Sequence, residues 1–202
     1  MDKKFIENYL NEMKKSLEGI SVDKIYYAME ILFDAWKKEN IIFVIGNGGS
    51  ASTASHFAAD LAKSTITENK KRFKVISLVD NVPLITAWTN DNGWDSVYEE
   101  QLKPWLKEDD VLVVFSVHGG SGKGNAGLWS QNLVRAIRLA KERNAKIIGF
   151  TGFDGGIVKE MSDVCIVIPT NSEQLNTPLV ESCHVALHHL IVFGLKERIK
   201  NE

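Results

Sequence analysis

Residues 41–60 read IIFVIGNGGSASTASHFAAD and join three elements in one stretch. The run 41–45 is continuously apolar, which is typical of a buried strand in a parallel sheet. A glycine-rich turn follows at 46–49, and hydroxyl side chains such as Ser50 and Thr53 stand where a helix should begin. The stretch therefore predicts a strand, a turn and a helix N-terminus, and such a terminus favours an anion.

Four further apolar runs rich in β-branched residues follow, and helical segments separate them. Because parallel strands require crossover connections, this alternation predicts one doubly wound α/β domain with a five-stranded parallel sheet. The predicted strands are 41–45, 73–78, 111–117, 146–150 and 164–168, and the predicted helices after the first strand are 50–63, 83–88, 96–103, 130–143, 155–161 and 177–200.

Two amphipathic helices are predicted before the first strand, ahead of the α/β core. Ile6, Leu10 and Leu17 have helical spacing in the first of them, and Ile25 and Leu32 in the second. We expect a single domain (1–202) made of this N-terminal pair (1–38) and the core (41–200), with the apolar stripes of the pair available to pack against another subunit.

The bulk composition excludes several classes of protein. The 202 residues carry 24 Lys+Arg and 26 Asp+Glu, so the charge gives no case for binding nucleic acid or an anionic membrane. No apolar run approaches the roughly 18 residues of a membrane span, and the start lacks the apolar core of a signal peptide. Cys165 and Cys183 form no disulfide framework. We expect a cytoplasmic protein.

Polar loops follow three predicted strands, at 46–50, 116–121 and 151–155. Ligands of open parallel sheets bind at the carboxyl ends of the strands. One glycine-rich turn is a weak motif that ordinary turns share, and neither a dinucleotide fingerprint nor a P-loop is present. Two serine-rich loops at one edge nevertheless favour an anion site, because backbone N–H groups and hydroxyls bind phosphate without a formal positive charge.

Histidines and carboxylates recur at helical spacing. His56 and Asp60 lie four residues apart and share a helix face, and Glu181, His184 and His188 share a face of the last helix. Imidazoles with carboxylates form an N/O set that suits Zn²⁺ or a similar ion, but they would equally serve as a metal-free acid and base. Whether the two helices meet stays open at this point.

The segments GNGGSA (46–51) and HFAAD (56–60) resemble the signature of phosphoheptose isomerases, which belong to the sugar isomerase (SIS) domain class. The likeness extends over nearly the whole chain. It implies a flavodoxin-like five-stranded sheet flanked by helices and a homotetramer with active sites between subunits. It also implies interconversion of D-sedoheptulose 7-phosphate and D-glycero-D-manno-heptose 7-phosphate by proton transfer between C1 and C2 through an enediol.

The resemblance also implies site residues. The implied substrate-binding residues are Asn47, Gly48, Ser50, Asn90, Asp91, Ser116, His118, Ser130 and Glu181. The implied ligands of zinc or another divalent metal, one ion per subunit, are His56, Asp60, Glu181 and His189, of which Asp60, Glu181 and His189 are also the implied catalytic residues. A one-residue slip in the last helix would select His188 instead of His189, and helical geometry slightly prefers His188.

The sequence departs from the family pattern at several of these positions. Asp60 stands where the family has Glu, Glu181 where it has Gln, His118 where serine is usual and Pro178 where Asp is common. An insertion at 120–129 is either a lid or a surface loop. These departures indicate a divergent subfamily in which the substrate is the first property expected to differ.

Two function classes remain from the sequence. One is a metal-assisted aldose–ketose isomerase of a sugar phosphate, either the heptose or another sugar. The other is a non-catalytic SIS domain that binds a phosphosugar or acts as an adaptor. The retained histidines and carboxylates favour the isomerase, because an adaptor needs none of them. Its expected partners are the sugar phosphate and further copies of the chain, with no nucleic acid and no membrane.

Overall fold

Five parallel strands form the central sheet. A computed structural model describes residues 2–120, 130–170, 172 and 174–202. The strands are β1 (Ile41–Gly46), β2 (Lys74–Ser77), β3 (Val111–Ser116), β4 (Lys146–Thr151) and β5 (Val164–Val167). Their spatial order is β2-β1-β3-β4-β5, and every neighbouring pair is parallel. The predicted α/β class with a five-stranded parallel sheet is confirmed.

The helices follow the predicted order with small shifts at their ends. They are α1 (Lys3–Glu18), α2 (Val22–Lys38), α3 (Gly49–Lys63), α4 (Val82–Asn92), α5 (Val97–Leu102), α6 (Gln131–Glu142), α7 (Gly156–Met161) and α8 (Asn176–Lys200), with a 3₁₀ turn at Trp94–Ser96 before α5. The helix predicted at 83–88 continues to Asn92, because the capping side chain of Asn81 starts it and Gly93 ends it.

Both faces of the sheet are covered. Ile42 and Val44 of β1 face the layer formed by α2, α3 and α8, whereas Phe43 and Ile45 face the layer formed by α5, α6 and α7. This alternation follows from the two-residue period of a strand. It explains why β1 reads as one continuous apolar run, since both of its faces are buried.

The edge strand β2 differs from its prediction. Its run was expected over 73–78 as a buried strand, but the strand covers only Lys74–Ser77, and its residues alternate between exposed and half-buried. The cause is its place at the edge of the sheet, where only β1 pairs with it.

The helix α2 is part of the core, which corrects the expectation that its apolar stripe would pack against another subunit. Ile25, Leu32 and Trp36 are buried against the protein's own sheet and α8. By contrast, α1 buries only Ser16 and exposes Phe5 among other apolar residues. Apolar surface free for another subunit therefore remains on α1, and the exposed Val22, Tyr26 and Tyr27 add to it on α2.

The last helix, α8, is long and apolar enough to span a membrane, although the sequence analysis expected no such segment. Its 18-residue window has a mean hydropathy of 1.3, and it is the one such helix among the described residues. Half of that window is buried inside the protein, where Leu187, Ile191 and Leu195 join the core. We conclude that α8 is a core helix.

One ion pair fastens α8 to α2. The Arg198 guanidinium donates through both terminal nitrogens to the two Glu30 carboxylate oxygens, with Nη2 3.0 Å from Oε2. Its carbon also lies 3.8 Å from the centre of the Phe33 ring. A planar guanidinium can make both contacts at once, but an ammonium cannot.

Arg198→Lys should therefore lower the free energy of unfolding by about 1 kcal/mol, because lysine loses the two-pronged bond and the stacking. Urea denaturation would measure this change. Arg138→Lys is the matched control, since Arg138 lies exposed on α6. Equal effects of the two substitutions would contradict the role given to Arg198.

Candidate functional site

A cleft of about 240 Å³ opens at the carboxyl edge of the sheet, where β1 and β3 end. It lies between the start of α3, the start of α6 and the first turn of α8. Ser50 and Ser116 are buried in its wall. Seven residues that the sequence predicted for substrate binding line this one cleft: Asn47, Gly48, Ser50, Ser116, His118, Ser130 and Glu181.

Two other predicted substrate residues lie elsewhere. Asn90 and Asp91 are exposed on α4, where the Asn90 amide donates to Asp91 Oδ1 at 2.7 Å, and neither residue lines the cleft. They stand apart because α4 follows the edge strand β2, and α4 contains no buried residue. The insertion, for which the sequence left a lid and a surface loop open, lies from residue 121 to 129 outside the described residues.

A second group of polar side chains, which we call the histidine cluster, consists of His56, Asp60, His188 and His189. The Oδ2 atom of Asp60 lies 3.5 Å from His56 Nε2, 3.4 Å from His188 Nε2 and 3.6 Å from His189 Nε2. One potential ligand atom from each residue lies within 4.8 Å of all the others. The two helices, α3 and α8, therefore do meet.

The cluster residues fit a divalent metal. His188 is fully buried; its Nδ1 atom has no hydrogen-bond partner among the described residues, and its Nε2 atom faces Asp60 Oδ2. Burial lowers the pKa of His188 to about 4, and the neighbouring His189 and His56 contribute to the decrease. The ring is consequently neutral at pH 7, as a metal ligand must be. Three imidazoles and one carboxylate suit Zn²⁺ or a similar ion.

The cluster differs in one member from the ligand set that the resemblance implied. His188, which the sequence left as the alternative to His189, is present together with His189. Glu181 is not part of the cluster. The signal in the sequence was the placement of His184 and His188 on one helix face, and both turn out to be fully buried.

Glu181 instead lies between the cluster and the cleft. It lines the cleft, and with His56 and Gly49 it also lines an adjoining cavity of about 260 Å³. A side chain on Gly49 would clash with the Glu181 carboxylate, so this carboxylate rests against the first residue of α3. The positive end of the helix dipole favours a carboxylate at that place.

His184 is a structural neighbour of the cluster. It packs against Phe115 and Phe150, and its Nε2 atom lies 3.4 Å from the carbonyl oxygen of Thr151. Burial lowers the pKa of His184 to about 4, although the contact with the Thr151 carbonyl opposes the decrease. The imidazole is therefore neutral in the folded protein.

His118 is held by stacking. Its ring lies on that of Phe153, with 4.4 Å between the ring centroids and 26° between the planes. The sequence singled out His118 but not Phe153, which comes from the loop after β4. This contact holds the His118 imidazole against the loop after β4, and His118 also lines the cleft.

Comparison with known proteins assigns the family. A family model described as "SIS domain" matches residues 8–152. The chain belongs to the SIS-domain family. Within that family it is homologous to the phosphoheptose isomerases: the phosphoheptose isomerase of a Nitratiruptor species is 32% identical over 189 residues, which are 92% of this chain and 94% of that protein.

Two other relatives of this SIS domain bear on its function. The "Lincomycin biosynthesis protein LmbN" of Streptomyces lincolnensis is 46% identical over 186 residues, and the aligned region is 92% of this chain but 66% of that protein. The solved structure of phosphoheptose isomerase GmhA from Neisseria gonorrhoeae has a TM-score of 0.81 at 25% identity and covers 96% of both chains. The structural match confirms the SIS fold.

Replacing His188 tests the metal site of this SIS domain. Loss of a residue that only supports a metal ligand weakens metal binding by about 10- to 100-fold. His188→Leu removes a ligand itself, so it should weaken zinc binding by a larger factor. Zinc titration of EDTA-treated protein would measure this change.

His118→Leu is the matched control for that change, because it removes an imidazole outside the cluster and should leave zinc affinity unaltered. If the His188 variant binds zinc as tightly as the original protein, His188 is not a ligand.

The buried His184 predicts acid sensitivity. Its pKa is lowered in the folded state, so the unfolded chain binds its proton first as the pH falls. The contribution of neutral His184 to stability is present above about pH 6.5 and decreases toward pH 4, by on the order of 3 kcal/mol. Denaturation of EDTA-treated protein at several pH values would measure this slope, and His184→Leu should make it shallower. An unchanged slope in that variant would contradict the assignment.

Proposed function

We propose that this SIS domain is an aldose–ketose isomerase of a sugar phosphate, with sedoheptulose 7-phosphate and D-glycero-D-manno-heptose 7-phosphate as the preferred pair. One observation carries the proposal: a serine-lined cleft at two helix starts adjoins a histidine–carboxylate cluster, and Glu181 lies between them. Such an arrangement can hold a phosphate at one end and act on a carbonyl and its neighbouring hydroxyl at the other.

The cleft would bind the phosphate group through dipoles. Ser50, Ser116 and Ser130 supply hydroxyl donors, and the starts of α3 and α6 supply the positive ends of two helices. No Lys or Arg is found among the described residues that line the cleft. Helix ends and hydroxyls are sufficient for phosphate, as many phosphate sites show.

The histidine cluster would hold one divalent ion, with His56, Asp60, His188 and His189 as its ligands. When bound, such an ion polarises carbonyl and hydroxyl oxygens and stabilises the negative charge that develops as a proton leaves the neighbouring carbon. Ser64 supports the cluster, because its hydroxyl donates to Asp60 Oδ1 at 3.2 Å and leaves Oδ2 facing the imidazoles.

Glu181 is the proposed proton carrier. Isomerisation needs one base that removes the proton from the carbon next to the carbonyl and returns it to the adjacent carbon, while a hydroxyl proton moves between the two oxygens. Asp60 faces three imidazoles, so its carboxylate is already engaged, whereas Glu181 faces the cleft. This favours Glu181 over Asp60 as the base.

The assembly is proposed to be a homotetramer in the cytoplasm. The exposed apolar residues of α1, Phe5, Ile6 and Leu10, support an interface between copies. The exposed position of α4 supports a second proposal, in which Asn90 and Asp91 contact the substrate of a neighbouring subunit.

A second candidate is an isomerase of another sugar phosphate. The 46% identity with LmbN, against 32% with the Nitratiruptor phosphoheptose isomerase, favours keeping this alternative. The imidazole of His118, where the resemblance implies a serine, also lines the cleft and would face the bound sugar phosphate.

A panel of C5 to C7 ketose and aldose phosphates, incubated with the protein in D₂O, tests the proposal. NMR should show deuterium entering at C2 and conversion between the two sugars. Glu181→Gln and His56→Ala should each reduce exchange by at least about 10²-fold, because one removes the base and the other a metal ligand. Both variants should keep the oligomeric state of the original protein.

Glu197→Gln is the matched control, since Glu197 lies exposed near the end of the same helix and pairs with Lys200. Full activity in both site variants would reject this site. An absence of exchange with every sugar phosphate would favour the non-catalytic binding domain instead.

A further inference from the structure

Two asparagines join the loops on either side of the cleft. The Asn47 side-chain nitrogen donates to Asn132 Oδ1 at 3.0 Å, and the Asn132 side-chain nitrogen donates to Asn47 Oδ1 at 2.9 Å. Asn47 belongs to the turn between β1 and α3, and Asn132 is the second residue of α6. They are 85 residues apart in sequence, and this reciprocal amide pair connects the two helix starts.

The pair is anchored on both sides. Asn132 Oδ1 also accepts from the backbone N–H of Leu133 at 2.9 Å, which fixes the amide to the first turn of α6. The Tyr98 hydroxyl donates to the carbonyl oxygen of Gly46 and lies 3.3 Å from Asn47 Oδ1. Burial raises the pKa of Tyr98, so the phenol remains protonated and able to donate.

One member of the pair is fully buried, and the other, Asn47, is partly buried. Asn132 is fully buried and Tyr98 is 2% exposed. A buried amide without a partner is costly, whereas one in a satisfied network fixes a single geometry. The described contacts give both the oxygen and the nitrogen of Asn132 a partner, so the position of α6 relative to the β1–α3 turn is tightly defined.

Two of the serines that we propose to bind the phosphate flank this pair in the sequence. Ser50 lies three residues after Asn47, and Ser130 lies two residues before Asn132. Both serines line the cleft, and Asn47 does so as well. A change in the distance between the two loops would therefore move one set of donors relative to the other.

We propose that Asn47 and Asn132, held by Tyr98, are positioning residues that set the spacing of the two loops for a phosphate group. The proposal rests on the proposed function, because it assumes that the cleft binds phosphate. It gives a different role to Asn47, which the sequence predicted as a substrate-binding residue, since the Asn47 side chain holds the opposite loop. Neither Asn132 nor Tyr98 was expected from the sequence.

Alanine variants of both asparagines, singly and together, test this proposal. Each single variant should weaken the binding of inorganic phosphate by about tenfold, as followed by calorimetric titration, and the double variant should be no weaker than the weaker single one. In the isomerase assay KM should rise about tenfold while kcat changes little, because phosphate binding is shared by the ground and transition states. Zinc binding at the histidine cluster should not change.

Thr65→Val is the control for a general loss of stability, since Thr65 is a buried hydroxyl that donates to the Leu61 carbonyl oxygen at the far end of α3. It should lower the thermal midpoint and leave phosphate affinity as it is. If Asn132→Ala does not fold, Tyr98→Phe and Asn47→Ala carry the test, with the same direction of change.

The outcomes separate the two proposals. Phosphate binding by the original protein with unchanged affinity in the asparagine variants would overturn the positioning role and leave the proposed function standing. Strictly additive losses in the double variant would also overturn it. A failure of the original protein to bind phosphate would instead contradict the anion cleft on which the proposed function depends.

Discussion

The packing of α3 against α8 is the contact on which the rest of the site depends. His56 and Asp60 come from one helix and His188 and His189 from the other, so the cluster exists only while these helices lie side by side. Hydrophobic packing holds both helices in place, since Phe57 of α3 and Leu187 of α8 belong to the same buried core cluster. A polar site is thus maintained by an apolar interface.

The sequence predicted the features of the fold that depend on local patterns of apolar and polar residues. The strand-turn-helix at 41–60 indicated the parallel sheet, because a continuous apolar run is typical of a strand buried on both faces. It indicated an anion site only together with the second serine-rich loop. The sequence could not decide between His188 and His189, since the rotation of a long helix about its axis depends on tertiary packing. Nor could it show that the stripe on α2 faces the protein's own sheet, because an amphipathic pattern does not identify its partner.

Charge is divided between the two halves of the site in a way that suits an anionic substrate. Asp60 lies among three imidazoles, and burial keeps His188 neutral, so a cation would complete that half. The other half contains hydroxyls and helix starts, with the Glu181 carboxylate at its border.

Neither Asn132 nor Tyr98 carries a signature in the sequence, because a long-range amide pair becomes visible only when the fold has brought residues 47 and 132 together.

The place of His188 on a core helix has a consequence for the exchange of a bound ion. Sites on surface loops open with local fluctuations of small free-energy cost, but His188 is fully buried on α8, between α3 and the sheet. The other two imidazoles, those of His56 and His189, are about half exposed. A bound ion would therefore enter and leave on the side of these two residues, while the imidazole of His188 keeps its place in the core.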